Sequence, residues 1–316
     1  MAFKLFFTTD IHGSDRCFRK FINAAKFYGA QVLVLGGDIT GKAVVPILKS
    51  PGNTYTADFS MTPRQVDKDG LDALVKEIQF NGFYPFITTP DELAVIRADP
   101  DGIPALFRRL IAESLKGWVA LAEERLSPQN VRIYISPGND DDLVVDEVLA
   151  SSSFVINPEE KIVEIVPGVA MLTLGLSNPT PWKSPREVSE EELGRHLYAL
   201  AQRMPSDGLS IYNTHLPPKD TPIDQAARLD ETLKPIVQGG QIAMTGVGSS
   251  SVREAILKYQ PSLGLHGHVH EAAGAIRLGK TVCINPGSEY SDGILRGALI
   301  TFDEKKKTFN YQLTMG

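Results

Sequence analysis

The chain alternates short apolar runs with amphipathic segments, a pattern typical of α/β proteins. Residues 3–9 and 31–35 are apolar runs of strand length. Between them, apolar side chains recur at helical spacing, with Ser14 or Asp15 as the helix cap and Gly29 as its natural end. Two strands joined by a helix within ~40 residues predict a βαβ unit and therefore a parallel sheet.

The same patterns continue through the second half of the chain. Strands are expected at 131–135, 210–215, 263–265 and 281–285, two within 161–176, and an antiparallel pair at 297–302 and 308–313. Helices are expected at 142–149, 189–203 and from about 251 to 259. Ser189 and Glu192 have the spacing of a capping box at the start of the second of these helices.

Residues from about 43 to 130 interrupt this alternation. They predict a hairpin at 44–59, a helix at 72–79, an aromatic loop at 81–86 and a long amphipathic helix at 103–126. We expect one domain, residues 1–316, with this mainly helical segment inserted. The insertion could be a lid or a substrate wall, or it could add core and oligomer surface.

Bulk properties restrict the class of protein. The 316 residues suffice for a large core, and the formal net charge of −6 argues against a general nucleic-acid or anionic-membrane binder. Cys17 and Cys283 have no metal-type cysteine partner nearby, which favours buried thiols in a reducing compartment. Without a signal-peptide pattern or a membrane-spanning apolar run, the sequence indicates a cytoplasmic protein with no membrane partner.

Histidines are concentrated near the C-terminus. Three of the six fall within residues 266–270, after the apolar run 263–265. Residues i and i+2 of a strand point to the same face, so His268 and His270 could offer two imidazoles to one ion. A polar strand end with partly exposed histidines explains a lone His-x-His equally well.

The first strands carry a second group of polar residues. Asp10 and His12 are again i and i+2 at the end of the first strand, and Asp38 follows the second. Ligands of parallel sheets bind beyond the carboxyl ends of the strands. These three side chains are therefore expected at one edge of the sheet, which supports a binding site there.

Polar residues that follow predicted strands make up a larger set with shared chemistry. The set is Asp10, His12, Asp38, Asn139, His215, His268 and His270. All offer oxygen or imidazole nitrogen and none offers a thiolate, which suits two divalent ions such as Mn, Fe or Zn. Seven ligands are too many for one ion but suit two if one carboxylate bridges.

In these residues the sequence resembles the calcineurin-like metallophosphoesterase family. The family pattern is D-x-H, G-D, G-N-H, an isolated His and G-H-x-H. This chain has, in that order, Asp10-x-His12, Gly37-Asp38, Gly138-Asn139, His215 and Gly267-His268-x-His270, spanning residues 8 to 270. The resemblance implies a four-layer αββα sandwich, in which two mixed β-sheets are flanked by helices.

The resemblance also implies the roles of the site residues. One metal would be held by Asp10, His12, Asp38 and His270, and the other by Asp38, Asn139, His215 and His268. Asp38 would bridge the ions, which lower the pKa of a bridging water to give an attacking hydroxide and neutralise the phosphate oxygens. The implied activity is phosphoesterase hydrolysis, as a phosphodiesterase or phosphatase, of a small phosphorylated substrate such as a nucleotide.

Position 140 departs from the family pattern. The family has a histidine there, near the leaving group, whereas this chain has Asp140. A carboxylate beside two cations donates a proton poorly and repels phosphate, which argues against strong activity on monoesters with poor leaving groups. Asp140 could cap the following helix, or it could act with Asp38 and Asn139 in catalysis as a substitute acid or a water-positioning group.

The sequence is also compatible with other functions. A metal-binding protein of the same fold with little catalysis, acting as a scaffold or regulator, is the main alternative, and Asp140 is the feature that favours it. The metallo-β-lactamase fold is disfavoured because its H-x-H-x-D-H motif follows an early strand, whereas the His-x-His here comes late and is followed by Glu271. His266 is expected to be a hydrogen-bonded strand-end residue and His196 a bystander on a surface helix. The natural substrate and the oligomeric state are not predicted.

Overall fold

A computed structural model describes residues 2–59, 62–303 and 306–316. The helices are α1 (Asp15–Tyr28), α2 (Leu71–Phe80), α3 (Pro90–Ala98), α4 (Gly102–Leu126), α5 (Val144–Ala150), α6 (Glu190–Ala201) and α7 (Ser250–Tyr259). Short 3₁₀ turns lie at Ser127–Gln129 and Tyr290–Asp292. Among the described residues, no helix has the length and apolar character needed to cross a membrane.

The strands follow the chain from end to end. They are β1 (Ala2–Thr8), β2 (Val32–Gly36), β3 (Val44–Ser50), β4 (Thr54–Phe59), β5 (Thr62–Val66), β6 (Tyr84–Thr88), β7 (Arg132–Ser136), β8 (Val155–Ile156), β9 (Ile162–Val166), β10 (Val169–Leu174), β11 (Leu209–Thr214), β12 (Gln225–Ala227), β13 (Val237–Gln238), β14 (Gln241–Ile242), β15 (Met244–Gly246), β16 (Leu263–Leu265), β17 (Gly274–Leu278), β18 (Thr281–Asn285), β19 (Arg296–Asp303) and β20 (Thr308–Met315).

Two six-stranded mixed sheets form the centre of the molecule. The first has the order β20-β19-β1-β2-β7-β8. Strands β1, β2, β7 and β8 are parallel, whereas β19 is antiparallel to both of its neighbours, β1 and β20. The second has the order β17-β18-β16-β11-β10-β9, with four parallel central strands and an antiparallel strand at each edge. The predicted βαβ unit is present, because β1 and β2 pair in parallel across α1.

The strands alternate their side chains between two apolar layers, as strand geometry requires. Along β1, Leu5 and Phe7 belong to the cluster between the sheets, together with Ile211 of β11. Phe6 points the other way and faces Phe21 of α1, with ring centroids 6.4 Å apart. Helices α1, α4 and α5 share a core with the first sheet, and α6 and α7 with the second. The predicted four-layer αββα sandwich is confirmed.

The segment from about 43 to 130 contains a sheet as well as helices. The hairpin of β3 and β4 and the long helix α4 are present as predicted. A four-stranded sheet, β5-β4-β3-β6, packs a small core against α2 that includes Ile47 and Ile78. The predicted aromatic loop is present at 81–83, but the prediction is wrong for 84–86, because Tyr84–Thr88 is strand β6 and pairs in parallel with β3. Gly82 and Pro85 suggest a loop locally, but the hydrogen bonds of β6 come from a strand about forty residues away.

Candidate metal centre

Five loops at the carboxyl ends of parallel strands bring the seven predicted ligands together. Asp10 and His12 follow β1, Asp38 follows β2, Asn139 follows β7, His215 follows β11, and His268 and His270 follow β16. The first four come from the first sheet and the last three from the second. Apart from His268 and His270, each of these residues is buried. The site therefore lies where the two sheets meet at one edge.

Backbone turns, and not strand alternation, aim these side chains. Strand β1 ends at Thr8, and Asp10 (φ 53°) and His12 (φ 38°) both lie in the left-handed region. Asp38 (φ 49°) and His268 (φ 67°) do so as well. This conformation is unfavourable for residues with a Cβ and persists where the surrounding structure enforces it. The expectation that i and i+2 alternation directs these pairs is therefore wrong, although Asp10 and His12 do face the same point.

One group of potential ligand atoms is formed by Asp10, His12 and His270. The Nε2 atoms of His12 and His270 lie 3.0 Å apart, and His270 Nε2 lies 3.3 Å from Asp10 Oδ1. One ligand atom from each of the three residues lies within 4.8 Å of the others, so the group could hold a metal ion.

A second group is formed by Asp38, His215 and His268. His215 Nε2 lies 3.4 Å from Asp38 Oδ2, and His268 Nδ1 lies 2.8 Å from Asn139 Oδ1. This group also meets the 4.8 Å criterion. The expectation that His268 and His270 converge on one ion is wrong, because the turn at His268 sends the two rings to different groups. The division implied by the family resemblance agrees with this geometry.

Asp38 belongs to the second group but also lies close to the first. Its Oδ2 is 3.4 Å from His215 Nε2 in one group and 3.8 Å from His12 Nε2 in the other. The approach of these loops depends on Gly37, which has φ 113°, because a Cβ there would lie 2.4 Å from His215 Nδ1. The carboxylate of Asp38 therefore faces imidazole nitrogens of both groups.

The donor atoms at His215 fit a metal ligand. His215 Nδ1 donates to the Gly36 carbonyl oxygen at 3.1 Å, so Nε2 is the ring nitrogen that faces Asp38 and could bind a metal after losing its proton. Nε2 is buried and makes no hydrogen bond within the described residues. A buried imidazole nitrogen that faces a carboxylate without a hydrogen bond is what a divalent ion between them would require.

The charges of the site are strongly coupled. Burial would lower the pKa of His215, but Asp38 and Asp10 raise it to about 10, so this ring is protonated near pH 7 and a bound cation would have to displace its Nε2 proton. Burial would raise the pKa of Asp38, but the nearby positive charge of His215 holds it well below its usual range. Burial lowers the pKa of His12 and of His268 to about 4, which keeps both rings neutral. Neutral imidazoles and ionised carboxylates are the forms that bind metals.

Asp140 does not cap the following helix. Helix α5 begins at Val144, whose N–H donates to Asp142 Oδ1 at 2.9 Å. Asp140 Oδ2 instead pairs with Lys42 Nζ at 3.0 Å, and its Oδ1 accepts a 2.5 Å hydrogen bond from Ser184 Oγ. The expectation of a cap is wrong, and the negative charge of Asp140 is offset by a lysine.

Three further residues belong to the site but were not found from the sequence. Lys42 and Ser184 hold Asp140, and Asp141 accepts hydrogen bonds from the backbone N–H groups of Ile39, Thr40 and Gly138. The position of Lys42, four residues after Asp38, was the one available signal. Asp141 bonds residues about one hundred positions away, and no local pattern reports such a contact.

The two histidines expected to be bystanders have ordinary structural partners. His266 is fully buried, and its Nδ1 lies 3.1 Å from the carbonyl oxygens of Thr214 and Leu216. His196 lies on α6, partly exposed, with Nδ1 2.7 Å from Glu160 Oε1. Neither is in the two groups described above.

Comparison of the sequence with known proteins gives one informative relative. No family model matches the chain. The uncharacterized protein MJ1162 of Methanocaldococcus jannaschii is 29% identical over 153 residues, which cover 48% of this chain and 61% of that protein. The match therefore spans less than two thirds of the relative's length.

Comparison of the structure with solved structures supports the fold. Two crystal structures each align over 99% of this chain and 99% of their own. One has a TM-score of 0.56 at 16% identity, and the other, TT1561 of Thermus thermophilus, has 0.53 at 13%. A phosphoesterase from E. coli, YfcE, aligns over 98% of both chains at 12% identity, but its TM-score of 0.32 is too low to support a shared fold. The two full-length alignments show that proteins with the same overall fold exist among solved structures, and at 16% and 13% identity they show the fold alone.

Proposed function

We propose that this protein is a metal-dependent phosphoesterase with a two-ion centre bridged by Asp38. The observation that carries the proposal is the position of the Asp38 carboxylate, whose Oδ2 lies within 3.8 Å of an imidazole nitrogen in each of two ligand groups. When bound, two divalent ions would activate water as the nucleophile and neutralise charge on the phosphate oxygens.

The chain's own residues support this chemistry in separate ways. The Nδ2 of Asn139 donates to Asp140 Oδ1 at 3.0 Å, which leaves Asn139 Oδ1 turned toward His268 and available as a ligand. Lys42 is half-exposed beside Asp140 and supplies positive charge for an incoming phosphate. Asp140 accepts hydrogen bonds and pairs with Lys42, so it is a poor proton donor. We therefore propose as substrates small phosphate esters whose leaving group needs little protonation, such as aryl esters and diesters.

A hydrolysis assay tests the proposal. The substrates are bis-p-nitrophenyl phosphate and p-nitrophenyl phosphate, assayed with Mn²⁺ after removal of bound metal. The wild-type protein is expected to hydrolyse at least one of them, and Asp38→Ala is expected to lose about 100-fold or more in kcat/KM because it removes the shared ligand. His196→Ala is the matched control, because it removes an imidazole outside the centre.

The outcomes separate this proposal from its alternative. Near-normal turnover by Asp38→Ala would contradict the two-ion assignment. A wild-type protein that holds two ions tightly but hydrolyses neither ester would instead be a metal-binding scaffold or regulator.

A further inference from the structure

An apolar cleft lies beside the candidate metal centre, between β3 of the insertion and helices α3 and α4. Its volume is about 540 Å³. Its apolar lining comes from Val44, Pro46, Leu93, Ile103, Leu106 and Phe107. Pockets that bind small molecules span roughly 300–1,000 Å³ and are lined mainly by apolar side chains. The cleft therefore has the size and the lining of a site for an apolar group.

Lys42 connects the cleft to the metal centre. It lines the cleft, and its Nζ lies 3.0 Å from Asp140 Oδ2. Ligand atoms of Asp140, His12 and Asp38 in turn lie within 4.8 Å of one another. The side chains of Lys42 and Asp140 therefore lie between the apolar cleft and the Asp38 carboxylate.

The charges along the cleft favour an anionic ligand. Of the described residues that line it, two are cations and none is a carboxylate: Arg97 and Lys42, the latter paired with Asp140 just outside the cleft. Lys42 stands at the end nearest the metal centre, where the head of a phosphate ester would lie. A ligand with a charged phosphate at one end and an apolar group at the other matches this order of surfaces.

We propose that the cleft binds the apolar aryl group of a phosphate monoester, or the apolar group of a phosphodiester, whose phosphate lies in the metal centre beside Lys42. The inference rests on the proposed function and narrows its substrate class to amphiphilic phosphate esters. The physical reason is that each methylene removed from water favours binding by about fourfold when it is fully buried. Because the cleft is open on one side, we expect about twofold for each methylene.

The test measures binding separately from hydrolysis. Methyl-, butyl- and octylphosphonate are titrated calorimetrically into the Mn²⁺-loaded protein, since phosphonates carry the charged head but are not hydrolysed. Affinity is expected to rise on the order of 100-fold from methyl to octyl, which is about twofold for each of the methylenes added. An affinity that does not depend on chain length overturns the inference and leaves the proposed function intact.

Two surface variants locate the effect. Ile103→Asn places an amide on the cleft wall at a position that is 40% exposed, so the fold should tolerate it. It is expected to reduce the preference for octyl over methyl by about tenfold. Val95→Asn, at a position on α3 that is 72% exposed and outside the lining, is the matched control and should keep the wild-type preference. Equal preferences in both variants and the wild type would place the chain elsewhere and overturn the inference.

The remaining outcomes separate this inference from the proposed function and from another occupant. Length-dependent phosphonate binding without hydrolysis of any ester supports the cleft assignment and rejects the phosphoesterase. A dimer in solution that Ile103→Asn converts to monomer, together with binding that is independent of chain length, would show that the cleft receives a second copy of the chain.

Discussion

At the scale of single residues, Asp141 fixes the two loops that carry the candidate ligands Asp38 and Asn139. Its carboxylate accepts hydrogen bonds from the N–H of Thr40 (2.8 Å) and of Ile39 (3.1 Å) after β2, and from the N–H of Gly138 (2.8 Å) after β7. It is fully buried, and burial together with the nearby Asp38 raises its pKa to about 6. Asp141 belongs to neither ligand group, and its hydrogen bonds position the loops of Asp38 and Asn139.

The variant Asp141→Asn tests this positioning role. An amide nitrogen would face backbone N–H donors in place of an acceptor oxygen, which leaves buried donors unpaired at a cost of about 1–3 kcal/mol. We expect that loss in the free energy of unfolding, measured in urea, and a fall of about 10–100-fold in Mn²⁺ affinity, measured by calorimetry. Asp142→Asn, which can still accept from Val144 N–H, is the control. Unchanged Mn²⁺ affinity in Asp141→Asn would argue against the role.

The seven candidate ligands could be predicted from the sequence, because each lies within five residues of the end of a strand and their motifs follow the order of a known family. Their orientation could not. Asp10, His12, Asp38 and His268 have left-handed backbone conformations that only the packed loops enforce. The role of Lys42 also depends on contact with Asp140, nearly one hundred positions away.

At the scale of elements, the sequence predicted the helices and strands whose own residues show a hydrophobic repeat or a capping residue. The long helix expected at 103–126 is α4, Gly102–Leu126, and Ser189 caps α6 by accepting from Glu192 N–H at 3.1 Å. The predicted capping box also requires a return bond from the Glu192 carboxylate, which instead pairs with Arg195 at 3.0 Å. Strand β6 was not predicted, because it is stabilised by pairing with β3, about forty residues earlier, and its own sequence suggests a loop.

Glu159, in the loop between β8 and β9, makes a hydrogen bond to the backbone just after β10 whose contribution to stability depends on pH. Its carboxylate accepts from the N–H of Gly175, just after β10, at 2.7 and 3.0 Å. Burial raises the pKa of Glu159 from 4.5 to about 7. Between these values the folded state holds a proton that the unfolded state has lost. The free energy of unfolding is therefore expected to fall as pH rises from about 4.5 to about 7, and to stay lowered above that range.

The variant Glu159→Gln should remove this contribution, because glutamine is neutral and keeps an acceptor oxygen for Gly175. The difference in Tm, variant minus wild type, is expected to be larger at pH 8 than at pH 5 in metal-free buffer. Glu164→Gln is the matched control, since exposed Glu164 also accepts from a glycine N–H, that of Gly168 at 2.9 Å. An identical pH dependence in Glu159→Gln and wild type would refute the assignment.

At the scale of the whole molecule, the site exists because two sheets end at a common edge. Asp10, His12, Asp38 and Asn139 follow strands of the first sheet, whereas His215, His268 and His270 follow strands of the second. Periodicity could predict each half but not how the halves face each other, because that arrangement depends on contacts between β1, β11 and other distant strands. The resemblance to metallophosphoesterases, carried by the order of the motifs, supplied the four-layer arrangement that periodicity could not.

The central claim is that this edge holds two ions that share Asp38. The most direct measurement is anomalous diffraction at the manganese edge from crystals soaked in Mn²⁺. We expect two peaks roughly 3.5–4 Å apart, on either side of the Asp38 carboxylate. One peak should contact Asp10, His12 and His270, and the other His215 and His268. A single peak away from Asp38, or none at these residues at saturating Mn²⁺, would contradict the account.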